Sequence, residues 1–548
     1  MSAPLFYLST PIYYVNDRPH IGHCYTTIVA DALARFHRFA GDDVFFLTGT
    51  DEHGQKVEKS AAARGIFPQA LADENAAHFI SALAYVGASQ DDFIRTTEPR
   101  HTKQVQEAFR RLIKSGDVYL GTFEGWYDEG QEEYVTEIQA RERNYKAFNG
   151  QPLVKANEEN YYFKLSAYKD RLNAFYQQHP EFIRPEGRRN EVLGRVNGPE
   201  GLQDVPVSRT NFSWGVPVPA PDGSDSKHVT YVWIDALLNY TTALGVIDPS
   251  ALPASERNRA RYWPAQLHLI GKEILWFHAV IWPALLMALD LPLPGCVYAH
   301  SFWIREGRKM SKTLGNFIDL PTIEAYCNAF GRDAFRWHML TQGPLAATDA
   351  DFSHSKFIEV YNADLANGIG NAFSRVSNMV GKYFDGRCPD PKGATSHAGH
   401  DWPAIAAEHV ERAIACTTDL DVAGALQEGI ALSGRVDGYI HATEPFKLAK
   451  DPAKMDEVGL ILYNAAEALR IASLLLWPAM PAKIEDVWRR MGSTLTPPAP
   501  GAVRAEGARL QDLARWGGLK PGTPIEKGDA LFPRADPVAP APMAAVST

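Results

Sequence analysis

Two hydrophobic patterns alternate through the first 116 residues. Short apolar runs at 6–8, 44–47 and 93–95 have the length and composition of buried strands. Between and after them, apolar residues recur every three or four positions, which predicts amphipathic helices at 20–39, 68–86 and 102–115. Strands that alternate with helices are typical of a parallel sheet with helices on its faces.

The pattern changes between 118 and 205, where aromatic and charged residues mix in hairpin-like segments. Strand-like runs then resume at 229–234, 267–270 and 297–303, with a predicted helix at 273–289. A parallel sheet interrupted by a small inserted domain explains this order better than two unrelated domains. We therefore predict an α/β domain with a parallel sheet of the Rossmann type that is split by an insertion.

Beyond residue 317 the strand pattern disappears and helical periodicity dominates, which predicts an all-α helical bundle. The helices are predicted at 322–329, 333–340, 357–384, 405–417, 422–443 and 460–476. The proline-rich tail carries one hairpin-like piece at 524–533. The predicted divisions are 1–117 and 206–320 for the catalytic halves, 118–205 for the insertion, 321–355 for a linker, 356–495 for the bundle and 496–548 for the tail.

The first candidate site lies where the first strand passes into the first helix. His20 and His23 are three residues apart and share a helix face, next to Pro19, which the first turn of a helix tolerates. An anion at a helix start meets backbone N–H groups, and Gly22 allows a phosphate or a flat ring to come close. This arrangement predicts a nucleotide site.

A second motif follows the run at 297–303. We call residues 305–316, REGRKMSKTLGN, the lysine loop; in it Lys309 and Lys312 flank Ser311, and glycines at 307 and 315 provide hinges. Two ammonium groups on a glycine-hinged loop suit a polyphosphate that gains charge in a transition state. Read alone, such a loop is equally typical of a solvated surface.

Asp51 follows the second strand, at the sheet edge where open α/β folds bind ligands. It is a candidate to face a ligand amino group, and its alternative role is to cap the next helix.

Composition narrows the class of protein only moderately. The chain has 548 residues, 45% hydrophobic and 22% charged, which suits a globular protein of two to four domains. A net charge of −10 argues against indiscriminate nucleic-acid binding but leaves a local basic face possible. The apolar runs are short and no signal segment opens the chain, so we expect a cytoplasmic protein without a membrane span. The five cysteines lack C-x-x-C spacing, so neither a disulfide framework nor a cysteine zinc site is expected.

Together, the motif His20-Ile21-Gly22-His23 and the lysine loop resemble the HIGH and KMSKS signatures of class I aminoacyl-tRNA synthetases. Thr313 stands where serine is commoner in the second signature. Further stretches resemble the methionyl-tRNA synthetase family from Pro4 to about Gly492. They are STPIYYVNDRPHIGH, FFLTGTDEHGQK, YVWIDALLNY, IGKEILWFHAVIWPA and NADLANGIGNAFSRV.

The resemblance implies ATP-dependent activation of methionine and its transfer to tRNA(Met), with His20, His23, Lys309 and Lys312 as catalytic residues. It places ATP with Mg²⁺ at Gly22, Lys272, Glu273, His300 and Ser311. It implies a methionine pocket formed by Ile12, Tyr14, Asp51, Trp233, Ala236, Leu237, Tyr240, His278 and Ile281. Thioether sulfur contacts aromatic rings favourably, which fits these aromatic walls. Leu237 and Ile281 replace the proline and phenylalanine of some members.

The resemblance also implies that the bundle reads the anticodon through Asn371, Arg375 and Phe446. Asn371 and Arg375 lie one helical turn apart, a spacing also typical of a solvated face. Phe446 stands where the family usually has a tryptophan, and its smaller ring stacks on a base over less area.

The insertion differs from many family members because residues 116–206 contain no cysteine for a zinc knuckle, so we predict a zinc-free form. It is also too short for a hydrolytic editing domain. We expect a monomer without the C-terminal tRNA-binding module of some relatives. The alternatives are another class I aminoacyl-tRNA synthetase and a non-catalytic tRNA-binding relative, which is expected to have lost His20, His23, Lys309 or Lys312.

Overall fold

The computed structural model describes residues 3–16, 18–128, 133–135, 137–147, 150–199, 201–219, 227–305, 307–310, 316–503, 507–536, 538 and 540. Within these residues, seven strands form a central sheet whose neighbouring strands are all parallel. Across the sheet they are Tyr13–Tyr14, Asp43–Asp51, Leu5–Ser9, Leu267–Gly271, Val297–His300 and Ile183–Arg184, with Asp92–Arg95 also paired to Asp43–Asp51. The strand order reverses beside Leu5–Ser9, which is where a doubly wound sheet opens a ligand crevice.

The predicted strands and helices of the first half are confirmed, with small shifts at their ends. The helices are Ile21–Ala40, Gln55–Arg64, Pro68–Tyr85 and Pro99–Ser115, of which Gln55–Arg64 was not predicted. Ile21–Ala40 ends at Gly41, whose φ of 99° is the left-handed conformation that glycine adopts readily. The apolar face of this helix includes Ile28 and Leu33, and both are buried against the sheet.

The stretch 118–205 forms a second, antiparallel sheet and several helices. Its strands are Val118–Asp128, Glu133–Val135, Val154–Phe163 and Val205–Pro206. Its helices are Glu137–Glu142, Lys169–Gln178 and Glu186–Val196, with a 3-10 turn at Leu165–Tyr168. The short strand Ile183–Arg184 returns to the central sheet and pairs with Val297 and Tyr298. The insertion therefore supplies an edge strand to the domain that it interrupts.

In the second half of this domain one prediction is wrong, and a predicted helix is confirmed but varies in helix type along its length. The run at 229–234 was predicted as a strand, but only Val229–Thr230 is extended, and Val232–Thr242 is a helix. A short run of aromatic and branched residues does not distinguish the two, and here packing decides. The predicted helix 273–289 divides into a 3-10 turn Lys272–Ile274, a π-helical turn Phe277–Ile281 and a helix Trp282–Ala288.

Smaller elements complete the catalytic half. A two-stranded sheet joins Ser208–Arg209 to Val229–Thr230, and a three-stranded sheet joins Arg308–Lys309, Trp303–Arg305 and Ala350–Asp351. The 3-10 turns are Pro249–Ala251 and Arg257–Tyr262. The three-stranded sheet holds the first residues of the lysine loop against a segment that follows it in the chain.

The C-terminal half is helical, as predicted. Its helices are Leu320–Phe330, Arg332–Gln342, His354–Val360, Asn371–Tyr383, Trp402–Thr418, Val422–Thr443, Pro445–Leu448, Met455–Leu476, Pro481–Arg490 and Leu510–Leu513, with a 3-10 turn at Pro452–Lys454. The predicted single helix 357–384 is interrupted by the π-helical segment Tyr361–Gly370, in which Gly368 leaves helical geometry. A two-residue hairpin joins Ser396–His397 to His400–Asp401. The hairpin predicted at 524–533 is not formed: the segment is irregular, with one isolated bridge between Pro524 and Arg387.

A single buried arginine ties the two halves together. The guanidinium of Arg336 donates to Asp31 of the first helix at 2.7 Å, to the Val86 carbonyl, and to the carbonyls of Pro478 and Ala479 in the bundle. Among the described residues, one segment, Pro452–Leu476, is long and apolar enough to cross a membrane, and 94% of its apolar window is buried inside the protein. Its composition is thus accounted for by its place in the bundle core.

Candidate active site

A cavity of about 300 Å³ opens at the carboxyl ends of the central strands. Thirteen of the predicted site residues line it, and they come from segments far apart in the chain. They are Ile12, Tyr14, His20, Gly22, His23, Asp51, Trp233, Ala236, Leu237, Tyr240, Glu273, His278 and His300. The cavity lies beside Leu5–Ser9, at the point where the strand order reverses.

Three described residues of the predicted site, Ile281, Lys272 and Lys309, lie outside this lining. Ile281 is buried in the apolar core, at the end of the π-helical turn that carries His278. The wider π turn explains why Ile281 does not share a face with His278 as it would in an α-helix. Lys272 lies outside the cavity lining and pairs with Asp349 at 2.6 Å. The predicted residues Ser311 and Lys312 lie outside the described residues.

The two histidines cap the first helix with their side chains. His20 is the N-cap residue, so Pro19 precedes the helix and does not occupy its first turn. The Gly22 N–H donates to Nδ1 of His20 at 3.0 Å, and the His20 N–H donates to Nδ1 of His23 at 3.2 Å. Because each Nδ1 accepts a hydrogen bond, each neutral ring carries its proton on Nε2.

This geometry changes how the helix start can bind an anion. Two of the backbone N–H groups expected to meet a phosphate are instead used by the imidazoles, whose ring centroids lie 3.9 Å apart. Burial lowers the pKa of His23 well below its ordinary value, and His20 lowers it further. His23 is therefore a neutral hydrogen-bond donor at physiological pH. A Cβ at Gly22 would lie 2.9 Å from Cε1 of His20, so glycine is required for this packing.

We call Tyr14, Trp233, Leu237, Tyr240 and His278 the aromatic end of the cavity. The ring of Trp233 stacks on that of Phe277, with centroids 4.0 Å apart and an angle of 14°. His278 Nδ1 donates to the Ile274 carbonyl at 3.0 Å, so its Nε2 accepts from the Tyr240 hydroxyl at 2.8 Å. Burial lowers the pKa of His278 to about 4. These contacts fix the orientation of each ring, so the wall is formed before a ligand binds.

A buried carboxylate supports this wall from behind. Asp235 accepts from His53 Nδ1 at 2.7 Å and from His101 Nε2 at 2.8 Å. Burial alone would raise the pKa of Asp235, but the two histidines outweigh it and hold the pKa at about 2. Asp235 lies between Trp233 and Ala236 in sequence, and His53 follows Asp51 by two residues. The network thus ties the helix of the aromatic wall to the end of the strand that carries Asp51.

The middle of the cavity contains polar groups suited to a nucleoside. His300 Nδ1 donates to the Ser301 carbonyl at 2.7 Å, so its Nε2 accepts from the Thr26 hydroxyl at 2.8 Å. Burial lowers the pKa of His300 to about 4. The carboxylate of Glu273 lies near Gly271, where a Cβ would come within 2.4 Å of it. Partial burial by the cavity walls raises the pKa of Glu273, and Lys272 and Lys309 oppose that rise.

We call Lys272, Phe302, Lys309 and Asp349 the lysine end. The Phe302 ring lines the cavity, and the ammonium groups of Lys272 and Lys309 lie 4.5 Å and 6.0 Å from its centroid. Lys309 is exposed in the short strand Arg308–Lys309, which pairs with Trp303–Arg305. The first loop lysine therefore lies beside the cavity mouth.

Sequence reasoning missed several residues that line the cavity, among them Tyr13, Thr26, Lys56, Ile274 and Phe302. Thr26 lies one helical turn beyond His23, so helical spacing from the histidine motif indicates it. Phe302 lies two residues after His300, beyond the strand that carries this histidine. No local signal distinguishes Phe302 from a core aromatic residue.

The predicted anticodon residues are on the surface of the bundle. Asn371 is exposed, and the Arg375 guanidinium donates to Asp437 at 2.7 Å. Phe446 exposes 42% of its surface, so its ring is accessible to a base. Within the part of the chain that the structure describes, no group of three His, Cys, Asp or Glu residues is arranged to hold a metal ion.

Comparisons with known proteins agree with this geometry. Residues 6–377 match the family model for class I tRNA synthetases (M). The chain is 43% identical over 547 residues to the methionine–tRNA ligase of Streptomyces coelicolor, covering 97% of each chain. It is 41% identical over 544 residues to that of Halalkalibacterium halodurans, covering 97% of this chain and 78% of the relative.

Solved structures show the same likeness. The methionyl-tRNA synthetase of Mycobacterium tuberculosis in complex with methionyl-adenylate superposes with a TM-score of 0.86 at 37% identity, covering 97% of this chain and 100% of that one. Its free form superposes with a TM-score of 0.81 at 34% identity, covering 98% and 99%. Fold, sequence and the cavity lined by the histidine motif agree, and the chain belongs to the class I methionyl-tRNA synthetase family.

Proposed function

We propose that this protein is a methionine–tRNA ligase, which activates L-methionine with ATP and transfers it to the 3′-terminal ribose of tRNA(Met) for initiation and elongation of translation. The observation that carries the proposal is one cavity with a preformed aromatic end and a lysine end, joined by the capped histidines. The family membership supports the same activity.

In the first step, a methionine carboxylate oxygen attacks the α-phosphorus of ATP, and the bond to the bridging oxygen of pyrophosphate breaks. The aromatic end holds the thioether through Ile12, Tyr14, Trp233, Ala236, Leu237, Tyr240 and His278, and Asp51 holds the α-ammonium group. The His20 and His23 Nε2–H groups donate to phosphate oxygens, with Gly22 allowing close approach. This catalysis is positioning and charge stabilisation, without a protein nucleophile.

Pyrophosphate accumulates negative charge as it leaves, and cations of the lysine loop stabilise it. Lys309 lies beside the cavity mouth, and we assign the same role to Lys312, with Ser311 as a further hydrogen-bond donor. Lys272, Glu273 and His300 bind the ribose and adenine side of ATP, and Mg²⁺ accompanies the phosphates. In the second step, a terminal ribose hydroxyl attacks the methionyl carbonyl carbon and AMP leaves.

The helical bundle reads the anticodon in this proposal. Splayed RNA bases offer ring faces and edges, which suit the exposed Phe446 ring and the polar groups of Asn371 and Arg375. We assign 356–495 to this domain, with the predicted divisions of the rest unchanged. We further propose a zinc-free, monomeric, cytoplasmic enzyme that does not bind membranes. Elemental analysis showing stoichiometric zinc, or a dimer mass in light scattering, contradicts the respective part.

Methionine-dependent exchange of pyrophosphate into ATP tests the activity. Chelator-treated protein is assayed with each standard amino acid, and we expect strong exchange with methionine alone. Exchange with a different amino acid agrees with the fold but contradicts the assignment of the cavity as a methionine pocket. No exchange with any amino acid favours the non-catalytic tRNA-binding relative, although this chain retains His20, His23, Lys309 and Lys312.

Charging of tRNA tests the second half of the proposal. We expect methionine to appear on tRNA(Met) transcripts and not on transcripts whose anticodon has been changed. Phe446→Ala is expected to raise the KM for tRNA about tenfold, since base stacking contributes about 1–3 kcal/mol. The KM for methionine in the exchange reaction, which needs no tRNA, is the internal control.

A further inference from the structure

We infer that Asp349 and Phe302 are positioning residues for adenylate formation, which hold the cations of the lysine end where ATP binds. The inference rests on the proposed function and adds residues that neither signature motif contains. Asp349 follows the lysine loop in sequence and lies outside the cavity lining, so neither a motif nor the cavity identifies it.

One carboxylate oxygen of Asp349 binds two different elements. Its Oδ1 accepts from the Lys272 ammonium at 2.6 Å and from the backbone N–H of Phe302 at 2.9 Å. Lys272 follows the strand Leu267–Gly271, and Phe302 follows the next strand of the sheet, Val297–His300. Asp349 therefore bridges the segments that leave two adjacent strands at the carboxyl edge of the sheet.

The Phe302 ring provides a surface for both cations. Lys272 Nζ lies 4.5 Å and Lys309 Nζ 6.0 Å from the ring centroid, both within the range of cation–π attraction. The same ring lines the cavity. Two ammonium groups are thus gathered at one aromatic ring beside the site where we place ATP.

The segment that carries Asp349 is itself anchored to the base of the lysine loop. The Ser301 N–H donates to the Pro344 carbonyl at 2.9 Å, and the Ala350 N–H donates to the Phe302 carbonyl at 3.0 Å. Arg188 reaches from the inserted part and donates to the Ser301 hydroxyl at 3.0 Å and to the Ala347 carbonyl at 3.1 Å. Asp349 is thus held on a braced backbone, so the position of its carboxylate is determined before ATP binds.

A lysine side chain that is already ordered contributes more to ligand affinity than one that is free to move. A lysine side chain loses substantial rotamer entropy when it is ordered, and an ion pair that already restricts it removes part of that cost from ATP binding. The ammonium group has three donors, so Lys272 can keep Asp349 while it also donates to an oxygen of ATP. An isolated surface ion pair contributes little, and the alternative is that Lys272 and Asp349 form only such a pair.

The test compares variants in methionine-dependent pyrophosphate exchange. Asp349→Asn is expected to raise the KM for ATP about tenfold with the KM for methionine unchanged. Phe302→Leu is expected to act in the same direction, whereas Phe302→Tyr keeps the ring and the wild-type KM. The matched control is Asp351→Asn, which removes the same charge from an exposed position two residues away.

A double-variant cycle separates positioning from a general structural role. If Asp349 acts through Lys272, then Asp349→Asn adds no further increase in the KM for ATP to that of Lys272→Met. Additive increases overturn the inference, as does a wild-type KM for Asp349→Asn. Thermal unfolding midpoints equal to that of the wild type show that the variants are folded. If Asp349→Asn has a lower midpoint, the test rests on the difference in the KM for ATP between Phe302→Leu and Phe302→Tyr. Inactivity of the wild-type enzyme itself would instead overturn the proposed function.

Discussion

The two ends of the cavity are held in place in different ways. At the aromatic end, buried rings are fixed by stacking and by hydrogen bonds such as that from Tyr240 to His278. At the lysine end, the ammonium groups of Lys272 and Lys309 lie over one ring, and Lys272 pairs with one carboxylate. A pocket that selects a side chain benefits from walls that are fixed before the ligand arrives. At the lysine end, Lys272 is held by Asp349, whereas Lys309, which follows the leaving pyrophosphate, must be able to move. The difference matches the two tasks.

Acid is expected to destabilise the folded protein through its buried histidines. The pKa values of His278 and His300 are lowered by burial from 6.5 to about 4 in the folded protein. The unfolded chain therefore binds more protons than the folded one between those values, so stability falls as the pH drops through 6.5 towards 4. We expect the free energy of unfolding to be about 4 kcal/mol lower at about pH 5 than at about pH 7 from these two groups together.

Urea unfolding measured across this pH range checks the prediction. Replacing His278 with glutamine, which keeps a polar side chain but does not titrate, is expected to reduce the loss of stability between about pH 7 and about pH 5 by about 2 kcal/mol, the share of one such histidine. A free energy of unfolding that stays constant between neutral and mildly acid pH would contradict the assignment of neutral, buried imidazoles.

Removing a cation from the lysine end is expected to affect chemistry and not methionine binding. Lys309→Ala should lower kcat for pyrophosphate exchange about 100-fold, because charge on the leaving group is stabilised mainly in the transition state. The KM for methionine should stay at its wild-type value. The control is Arg308→Ala, which removes a neighbouring exposed cation from the same strand. Equal losses of kcat for both variants would show that Lys309 acts only through the overall positive charge of this strand and not through a specific contact.

Removing a hydroxyl from the aromatic end is expected to affect methionine binding and not the chemical step. Tyr240→Phe deletes the donor to His278 Nε2 and leaves a buried acceptor unpaired, at a cost of about 1–3 kcal/mol. We expect the KM for methionine to rise about tenfold with kcat nearly unchanged. Tyr262→Phe, which loses a hydrogen bond to Asp43 away from the cavity, is the matched control. A fall in kcat without a change in KM would place Tyr240 in the chemical step.

Salt is expected to produce the smallest difference between the ends. Raising the ionic strength from about 0.05 M to about 0.5 M screens exposed charges strongly and buried contacts weakly, so the KM for ATP should rise about threefold. The KM for methionine should change much less. Both KM values are measured in one series of exchange assays. If they change in parallel with ionic strength, the two ends of the cavity do not differ in their dependence on exposed charge.

Local sequence was most informative where structure and chemistry depend on neighbouring residues. The alternation of apolar runs with helical periodicity predicted the parallel sheet, and the histidine motif marked the start of the first helix. The same local reasoning was wrong at 229–234, because a short aromatic run suits a strand and a buried helix equally well. It also missed the break at Gly368, where helical periodicity continues through a change in backbone geometry.

By itself, then, the amino-acid sequence determined the α/β architecture with its helical C-terminal half, the two signature motifs and the family resemblance. Tertiary structure decided which groups meet. The histidines use backbone N–H groups of their own helix, Ile281 turns into the core, and Lys272 pairs with a carboxylate 77 residues away. Periodicity and motifs reflect contacts between residues that are close in the chain. The packing of distant segments determines the hydrogen-bond partners and the burial of each side chain, and these in turn determine the tautomer of each histidine and the charge of each titratable group.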